Sequence, residues 1–121
     1  MSRTVYALVD DLLFASKLDT ASRGAGATVV CCLSRDDLVA KARENTPDLI
    51  VLDLDAEHLE PIELLGDLAA DGALASIPTV GYCSHVDTHL IEAAEGAGCG
   101  AVLPRSAFTE NLLAILQGQA F

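Results

Sequence analysis

The uninterrupted apolar run Leu49–Leu52 constrains the fold more than any other part of the sequence. It shows no alternation between apolar and polar positions, and it leads directly into Asp53 and Asp55. A continuous apolar strand is typical of a parallel sheet that helices cover on both faces, whereas a half-exposed strand alternates. The run therefore predicts a central parallel strand over residues 48–54 with two carboxylates at its carboxyl end.

Strand-like and helix-like segments alternate along the whole chain. Strands are predicted over residues 4–9, 27–33, 48–54, 78–83 and 101–103. Helices are predicted over residues 12–22, 35–45, 62–70 and 87–97, and in a last segment capped by Ser106 or Thr109. Ser34 is the expected N-cap of the second helix, and Pro61 is expected at the start of the third. Five repeats with short joins predict a flavodoxin-like (βα)5 α/β fold: a doubly wound parallel five-stranded sheet of strand order 2-1-3-4-5.

Length and composition limit the number of domains and the kinds of partner. The 121 residues suit one domain over residues 1–121, with no room for a separate output domain. The hydrophobic fraction of 51% is sufficient for a core, and it must be largely aliphatic because aromatic residues make up only 4%. Seven basic residues against 18 acidic ones give a net charge of −11. That charge argues against nucleic-acid and membrane partners, since both require a basic surface.

The sequence favours a cytoplasmic protein with reduced thiols. Its first residues lack the pattern of a signal peptide, and no apolar stretch is long enough to span a bilayer. The four cysteines are therefore expected to be free. Neighbouring residues of a strand face opposite ways, so we expect Cys31 or Cys32 to be buried. We expect Cys83 to be at least partly accessible.

Candidate functional residues lie beyond the carboxyl ends of the predicted strands, which is where open parallel sheets bind ligands. They are Asp10 and Asp11 after the first strand, Asp53 and Asp55 after the third, Cys83 and Ser84 after the fourth, and Arg105 after the fifth. Crowded carboxylates repel one another unless a cation joins them, and hard oxygen ligands favour Mg²⁺ or Mn²⁺. The pattern predicts that Asp10, Asp11 and Asp53 converge in an acidic pocket that binds such an ion weakly.

These segments resemble the receiver domain of two-component response regulators over essentially the whole chain. ALVDD is similar to the family's acidic pair, PDLIVLDLD to its phosphoacceptor segment, IPTVGYCSHVD to its fourth strand, and AGCGAVLPRSA to its fifth. The resemblance implies that Asp53 accepts a phosphoryl group from a histidine kinase or phosphotransfer protein. It implies that Asp10, Asp11, Asp53 and the backbone carbonyl of Asp55 hold Mg²⁺. It places the downstream protein contact on the fourth helix, fifth strand and fifth helix.

Several positions depart from the family pattern. Cys83 stands where the family has the Ser or Thr whose hydroxyl receives the phosphoryl oxygen, and a thiol is a weak donor. Ser84 is adjacent but is expected to face the other way. Arg105 replaces the family's Lys, and Val102 replaces the aromatic residue that reorients in the switch. The chain is therefore similar to an atypical or pseudo-receiver. The two alternatives are a stand-alone receiver that accepts a phosphoryl group on Asp53 and a docking module that acts independently of phosphorylation, and in both the output is a protein–protein contact.

Other hypotheses rest on fewer residues. The pair Asp53 and Asp55 is similar to the nucleophile motif of small Mg²⁺-dependent haloacid-dehalogenase-like phosphatases, but that family has the motif near the amino terminus. His85 and His89 are four residues apart with Cys83 nearby, a spacing compatible with zinc or nickel. Cobalamin binding occurs on the same type of fold, but the chain lacks the Asp-x-His-x-x-Gly segment such binding uses.

Overall fold

A computed structural model describes residues 3–84 and 87–119 of the chain. Five parallel strands form one sheet in the order β2-β1-β3-β4-β5. The strands are β1 (Arg3–Leu8), β2 (Ala27–Cys31), β3 (Leu49–Asp53), β4 (Thr79–Cys83) and β5 (Ala101–Pro104). The helices are α1 (Leu12–Ala25), α2 (Arg35–Glu44), α3 (Pro61–Ala70), α4 (Thr88–Gly96), α5 (Arg105–Glu110) and α6 (Leu112–Leu116), with a 3-10 turn at Glu57–Leu59. The predicted fold class and strand order are confirmed.

The central strand β3 is buried along its whole length, as its unbroken apolar sequence predicts. It pairs with β1 on one side and β4 on the other, so that Val5 lies opposite Leu49 and Val51 opposite Val80. The two faces of the sheet carry separate apolar clusters. Helices cover each cluster, and this two-sided burial removes the polar positions that a half-exposed strand would show.

Short-range signals set most of the helix boundaries. The Ser34 hydroxyl accepts a hydrogen bond of 3.1 Å from the backbone N–H of Asp37, which confirms Ser34 as the N-cap of α2. Pro61 is the first residue of α3, as predicted. Gly26 ends α1 in the left-handed conformation, with φ of 68°, which residues with a Cβ adopt at a cost.

The last helical segment differs from the single capped helix that the sequence predicts. Pro104 is extended, and α5 begins directly after it, so Ser106 and Thr109 both lie inside this helix rather than at its N-cap. The Thr109 hydroxyl instead donates to the backbone oxygen of Arg105 at 2.9 Å. Asn111 then interrupts the helix with φ of −105°, and its side-chain amide donates to a carbonyl of α5. The expected fifth helix is therefore two short helices, α5 and α6.

The helices are short compared with a bilayer. The longest, α1, has 14 residues. Within residues 3–84 and 87–119, no helix has both the length and the apolar character needed to cross a membrane.

Candidate functional site

The parallel strands bring the predicted site residues to one edge of the sheet. Asp10 and Asp11 follow β1, Asp53 is the last residue of β3, and Arg105 opens α5 directly after β5. Because β1, β3, β4 and β5 run in the same direction, their carboxyl ends meet at this edge. The acidic edge, as we call these four residues together with Asp55, lies where the strand order changes direction.

Asp53 is the buried carboxylate of the acidic edge, with 7% of its surface exposed. Its Oδ1 accepts a hydrogen bond of 3.0 Å from the backbone N–H of Asp55. Burial raises the pKa of Asp53, and the nearby charges of Asp55 and Asp10 raise it further, while Arg105 partly offsets the shift. Its Oδ2 makes no hydrogen bond to any residue in the described part of the chain, so this oxygen can react or accept a donor from a ligand.

The raised pKa of Asp53 predicts a pH-dependent gain of stability in Asp53→Asn. The folded carboxyl keeps its proton to higher pH than the unfolded one, so the wild type loses stability as pH rises from the ordinary value of 3.8 through the folded pKa. Asparagine does not titrate. We expect the variant to be more stable than the wild type at neutral pH, with the difference vanishing at acid pH, in denaturant titrations.

Asp11→Asn is the control of opposite sign. In the wild type the pKa of the Asp11 carboxyl is lowered, first by the hydrogen bond from Arg105 and then by the hydrogen bond from the backbone N–H of Phe14. This carboxylate stabilises the fold above its unfolded pKa, and the contribution is lost as pH falls through the folded pKa. Asp11→Asn should therefore be less stable than the wild type at neutral pH and equal to it at acid pH. Shifts of the same sign in both variants would contradict this electrostatic description.

Asp11 is fully engaged by its own neighbours. Its Oδ1 caps α1, accepting the backbone N–H groups of Leu13 at 2.9 Å and Phe14 at 3.3 Å. Its Oδ2 accepts a hydrogen bond of 2.8 Å from Nη2 of Arg105. The Arg105 guanidinium lies over the Phe14 ring, with its central carbon 4.7 Å from the ring centroid. The hydrogen bond to Asp11 raises the pKa of Arg105.

The other carboxylates of the acidic edge also have separate partners. Oδ2 of Asp10 lies 3.1 Å from Nε2 of His58, on the 3-10 turn. Oδ2 of Asp55 accepts the backbone N–H of Ser84 at 2.6 Å, and the Asp55 backbone carbonyl accepts the N–H of Glu57 at 3.0 Å. These contacts tie the loops after β1, β3 and β4 to one another.

The predicted convergence of Asp10, Asp11 and Asp53 on a metal ion is not found in this arrangement. The donor chemistry suits Mg²⁺, since all the candidate ligands are oxygens. Within residues 3–84 and 87–119, however, no group of three or more His, Cys, Asp or Glu side chains is placed to hold a metal ion. The reason is that Asp11 turns toward Arg105 and Asp10 toward His58. The side chains as arranged do not fit a divalent ion.

The sequence predicts that Cys83 is at least partly accessible, and the structure shows that this prediction is wrong. Its side chain is 1% exposed and belongs to the apolar cluster that contains Leu54. Burial raises the pKa of its thiol, and the nearby charge of Asp55 adds to the shift. The adjacent Ser84 is exposed and contributes its backbone N–H to the acidic edge.

The remaining thiol and histidine predictions have mixed outcomes. Cys31 is exposed and Cys32 is buried, as the alternation of a strand predicts, and all four cysteines are free. His85, the first residue of the hypothetical His85 and His89 metal site, lies outside the described residues.

Tyr82 is a site neighbour that the sequence analysis missed. It lies directly opposite Asp53 in the β3–β4 register, so the two side chains share a face of the sheet. Its ring stacks on Phe14 at 4.6 Å between centroids and packs against Phe108 at 4.9 Å. Its hydroxyl is buried and has no hydrogen-bond partner among the described residues. The available signal was its position two residues after the apolar Val80, which faces the same cluster.

Comparison with known proteins places the fold among receiver domains. No family model and no curated protein matches the chain. The chemotaxis protein CheY4 of Vibrio cholerae is 18% identical with a TM-score of 0.85, covering 99% of this chain and 100% of that one. The phosphorylated cyanobacterial phytochrome response regulator RcpA is 20% identical, with a TM-score of 0.80 and coverage of 98% and 91%. The Mn²⁺-bound response regulator Rcp1 is 18% identical, with a TM-score of 0.77 and coverage of 96% and 90%.

These likenesses establish the fold, which is the receiver-domain fold over nearly the whole chain. The haloacid-dehalogenase-like phosphatase hypothesis gains no support from them. It also needs a second acidic pair after β4, and Asp87, the carboxylate in that loop, is engaged as the N-cap of α4.

Proposed function

We propose that this chain is a receiver-like signalling module in which Asp53 accepts a phosphoryl group. The supporting observation is the chemistry of Asp53 itself: a buried carboxylate at the carboxyl end of the central strand, fixed through Oδ1, whose Oδ2 accepts no hydrogen bond from residues 3–84 and 87–119. A histidine kinase or histidine phosphotransfer protein is the proposed donor, and the cytoplasm is the proposed location. We propose no enzymatic turnover of a small-molecule substrate.

The proposed transfer is a displacement at phosphorus. Oδ2 of Asp53 attacks the phosphorus of a phosphohistidine, forming an O–P bond as the N–P bond breaks, and the leaving imidazole takes up a proton. The product is an acyl phosphate whose phosphoryl group carries about −1.5 to −2 of charge at neutral pH, in place of the single negative charge of the carboxylate. Arg105 is the nearby basic group, and its charge already acts on Asp53. The nucleophile must be ionised, so transfer should fall as pH drops through the folded pKa of Asp53.

The surroundings of Asp53 favour output that is largely independent of phosphorylation. A phosphoryl group needs a positioned hydroxyl and a mobile cation to draw the loops into a second state. Cys83 is packed in the core, and Arg105 is held by Asp11 and Phe14. Val102, on β5, has no ring that could reorient. We therefore propose constitutive docking of a downstream protein on the face formed by α4, β5 and the α5–α6 segment.

Apolar side chains are exposed at two places on the surface, and we propose that protein partners contact them there. Leu113 of α6, which belongs to the α5–α6 segment, is 48% exposed and lies on the side of α6 that faces Gly24 of α1. Leu12 and Leu13 at the start of α1, and Leu33 after β2, are each more than three-quarters exposed beside the acidic edge. We propose that a phosphodonor protein contacts these leucines when it approaches Asp53.

Beryllofluoride, a phosphoryl mimic, tests this function through amide chemical shifts. We expect shifts confined to the acidic edge, near Asp11, Asp53 and Ser84, with little change on α4, β5 and α6. Asp53→Asn should remove these shifts, since the mimic requires a carboxylate oxygen. Large shifts that spread through Val102 to α6 would contradict constitutive docking and would show that the proposed output face responds to phosphorylation.

A further inference from the structure

Arg105 already supplies positive charge to the acidic edge. Its Nη2 lies 2.8 Å from Oδ2 of Asp11, and its charge also acts on Asp53. In receiver-like chains such an edge is expected to recruit a divalent ion, yet the carboxylates here are not arranged for one. The guanidinium of Arg105 is hydrogen-bonded to Oδ2 of Asp11, which is one of the oxygens that such an ion would need as a ligand.

Two contacts besides the ion pair hold Arg105 in place. The guanidinium carbon lies 4.7 Å from the Phe14 ring centroid and 5.9 Å from that of Tyr82. Stacking of a planar guanidinium on aromatic rings is a property that lysine does not share. The aromatic cluster is itself fixed, because Phe14, Tyr82 and Phe108 are each no more than 1% exposed. Arg105 is thus positioned before any ligand arrives.

Asp11 cannot serve Arg105 and a metal ion at once. Its Oδ1 is used by the two N–H groups at the start of α1, so Oδ2 is the oxygen available to a cation. That oxygen is the acceptor of the Arg105 hydrogen bond. A divalent ion would have to displace the guanidinium from Oδ2 and would then be repelled by it at short range.

We infer that Arg105 is the resident cation of the acidic edge and competes with divalent metal ions for Asp11. The competition follows from the shared oxygen and from like-charge repulsion. It concerns the unmodified protein, so it does not depend on phosphorylation of Asp53. If Asp53 accepts no phosphoryl group, the competition between Arg105 and metal ions can still be observed. If the competition is absent, Asp53 can still be phosphorylated.

The test is the affinity for Mn²⁺, measured from the electron paramagnetic resonance signal of the free ion. We expect weak binding by the wild type and about tenfold tighter binding by Arg105→Gln, because one like charge is removed within a few ångströms of the ion. Arg105→Lys keeps the charge and loses the stacking, so its affinity should lie between the two. Melting curves of each variant verify that the fold is retained.

Arg23→Gln is the matched control for net charge. Arg23 forms an ion pair of 3.0 Å with Asp19 near the far end of α1, about 18 Å along the helix from Asp11. That separation exceeds the Debye length of about 8 Å at physiological salt, so Mn²⁺ affinity should equal that of the wild type.

A double variant tests whether Asp11 binds the Mn²⁺ ion that Arg105→Gln holds more tightly. Adding Asp11→Asn to Arg105→Gln should return Mn²⁺ binding to the wild-type level or below. Equal Mn²⁺ affinity in the wild type and Arg105→Gln, including the absence of binding by both, would overturn the inference. So would a gain that survives Asp11→Asn, since the ion would then bind elsewhere.

Discussion

Gly81→Ala is expected to lower the free energy of unfolding by about 1–3 kcal/mol, although glycine is otherwise unfavourable within a strand. Gly81 lies in the middle of β4, and a Cβ built there would be 2.8 Å and 2.9 Å from two carbons of the Leu54 side chain. Leu54 is fully buried in a close-packed cluster, so it has little room to move aside. The clash outweighs the backbone entropy that alanine would save.

A double-mutant cycle isolates this contact. Leu54→Ala alone should cost about 2–5 kcal/mol through the cavity it leaves. The double variant should cost less than the sum, with a coupling of about 0.5–3 kcal/mol, because the new methyl group fills part of that cavity. Urea denaturation of the four proteins measures the coupling. Strictly additive losses would contradict the packing of Leu54 over Gly81.

Gly66→Ala is the matched control for the loss of a glycine. Gly66 is an exposed position within α3, and nothing lies within 4 Å of a Cβ built there. Alanine has the higher helix propensity, so this variant should be more stable by about 0.5–1 kcal/mol. The two substitutions are chemically identical and are expected to have opposite signs, which attributes the difference to Leu54.

Much of the fold could be predicted because its determinants are local in the sequence. The apolar run of β3 has no polar position, and only a strand buried on both faces tolerates that. The hydroxyl of Ser34 and the ring of Pro61 act on backbone groups within a few residues. The last helix could not be predicted in this way. Asn111 departs from helical geometry with φ of −105°, although its backbone N–H still donates to the carbonyl of Ala107, and its side-chain amide donates to the same oxygen. No residue pattern near Asn111 marks this local change of backbone angle.

The candidate site was predicted in its location but not in its contacts. The carboxyl ends of parallel strands place Asp11, Asp53 and Arg105 at one edge whatever their side chains do. Which carboxylate pairs with Arg105 depends on side-chain geometry and on the Phe14 ring beneath the guanidinium. Cys83 is buried because both faces of β4 are covered up to the last residue of the strand, and the sequence does not show how far this cover extends.

The second large effect is the complete loss of phosphoryl acceptance in Asp53→Asn. Small phosphoryl donors such as phosphoramidate transfer their group without a partner protein, so they test the acceptor alone. The carboxylate Oδ2 is the nucleophile, and an amide oxygen is too weak to replace it. The substitution preserves shape and retains an acceptor for the Asp55 N–H, so the fold should be intact. A loss of the product would therefore come from the chemistry of residue 53.

Asp48→Asn is the matched control, because it removes the same charge at the other end of β3. The Asp48 carboxylate accepts the backbone N–H of Thr4 at 2.8 Å and lies about 16 Å along the strand from Asp53. The Asp48→Asn variant should therefore be phosphorylated on Asp53 as readily as the wild type.

Intact-protein mass spectrometry after incubation with phosphoramidate tests the central claim most directly. Wild type and Asp48→Asn are predicted to gain the mass of one phosphoryl group, and Asp53→Asn is predicted to gain none. A wild-type protein that acquires no phosphoryl group, or an adduct that persists in Asp53→Asn, would contradict the assignment of Asp53 as the phosphoacceptor.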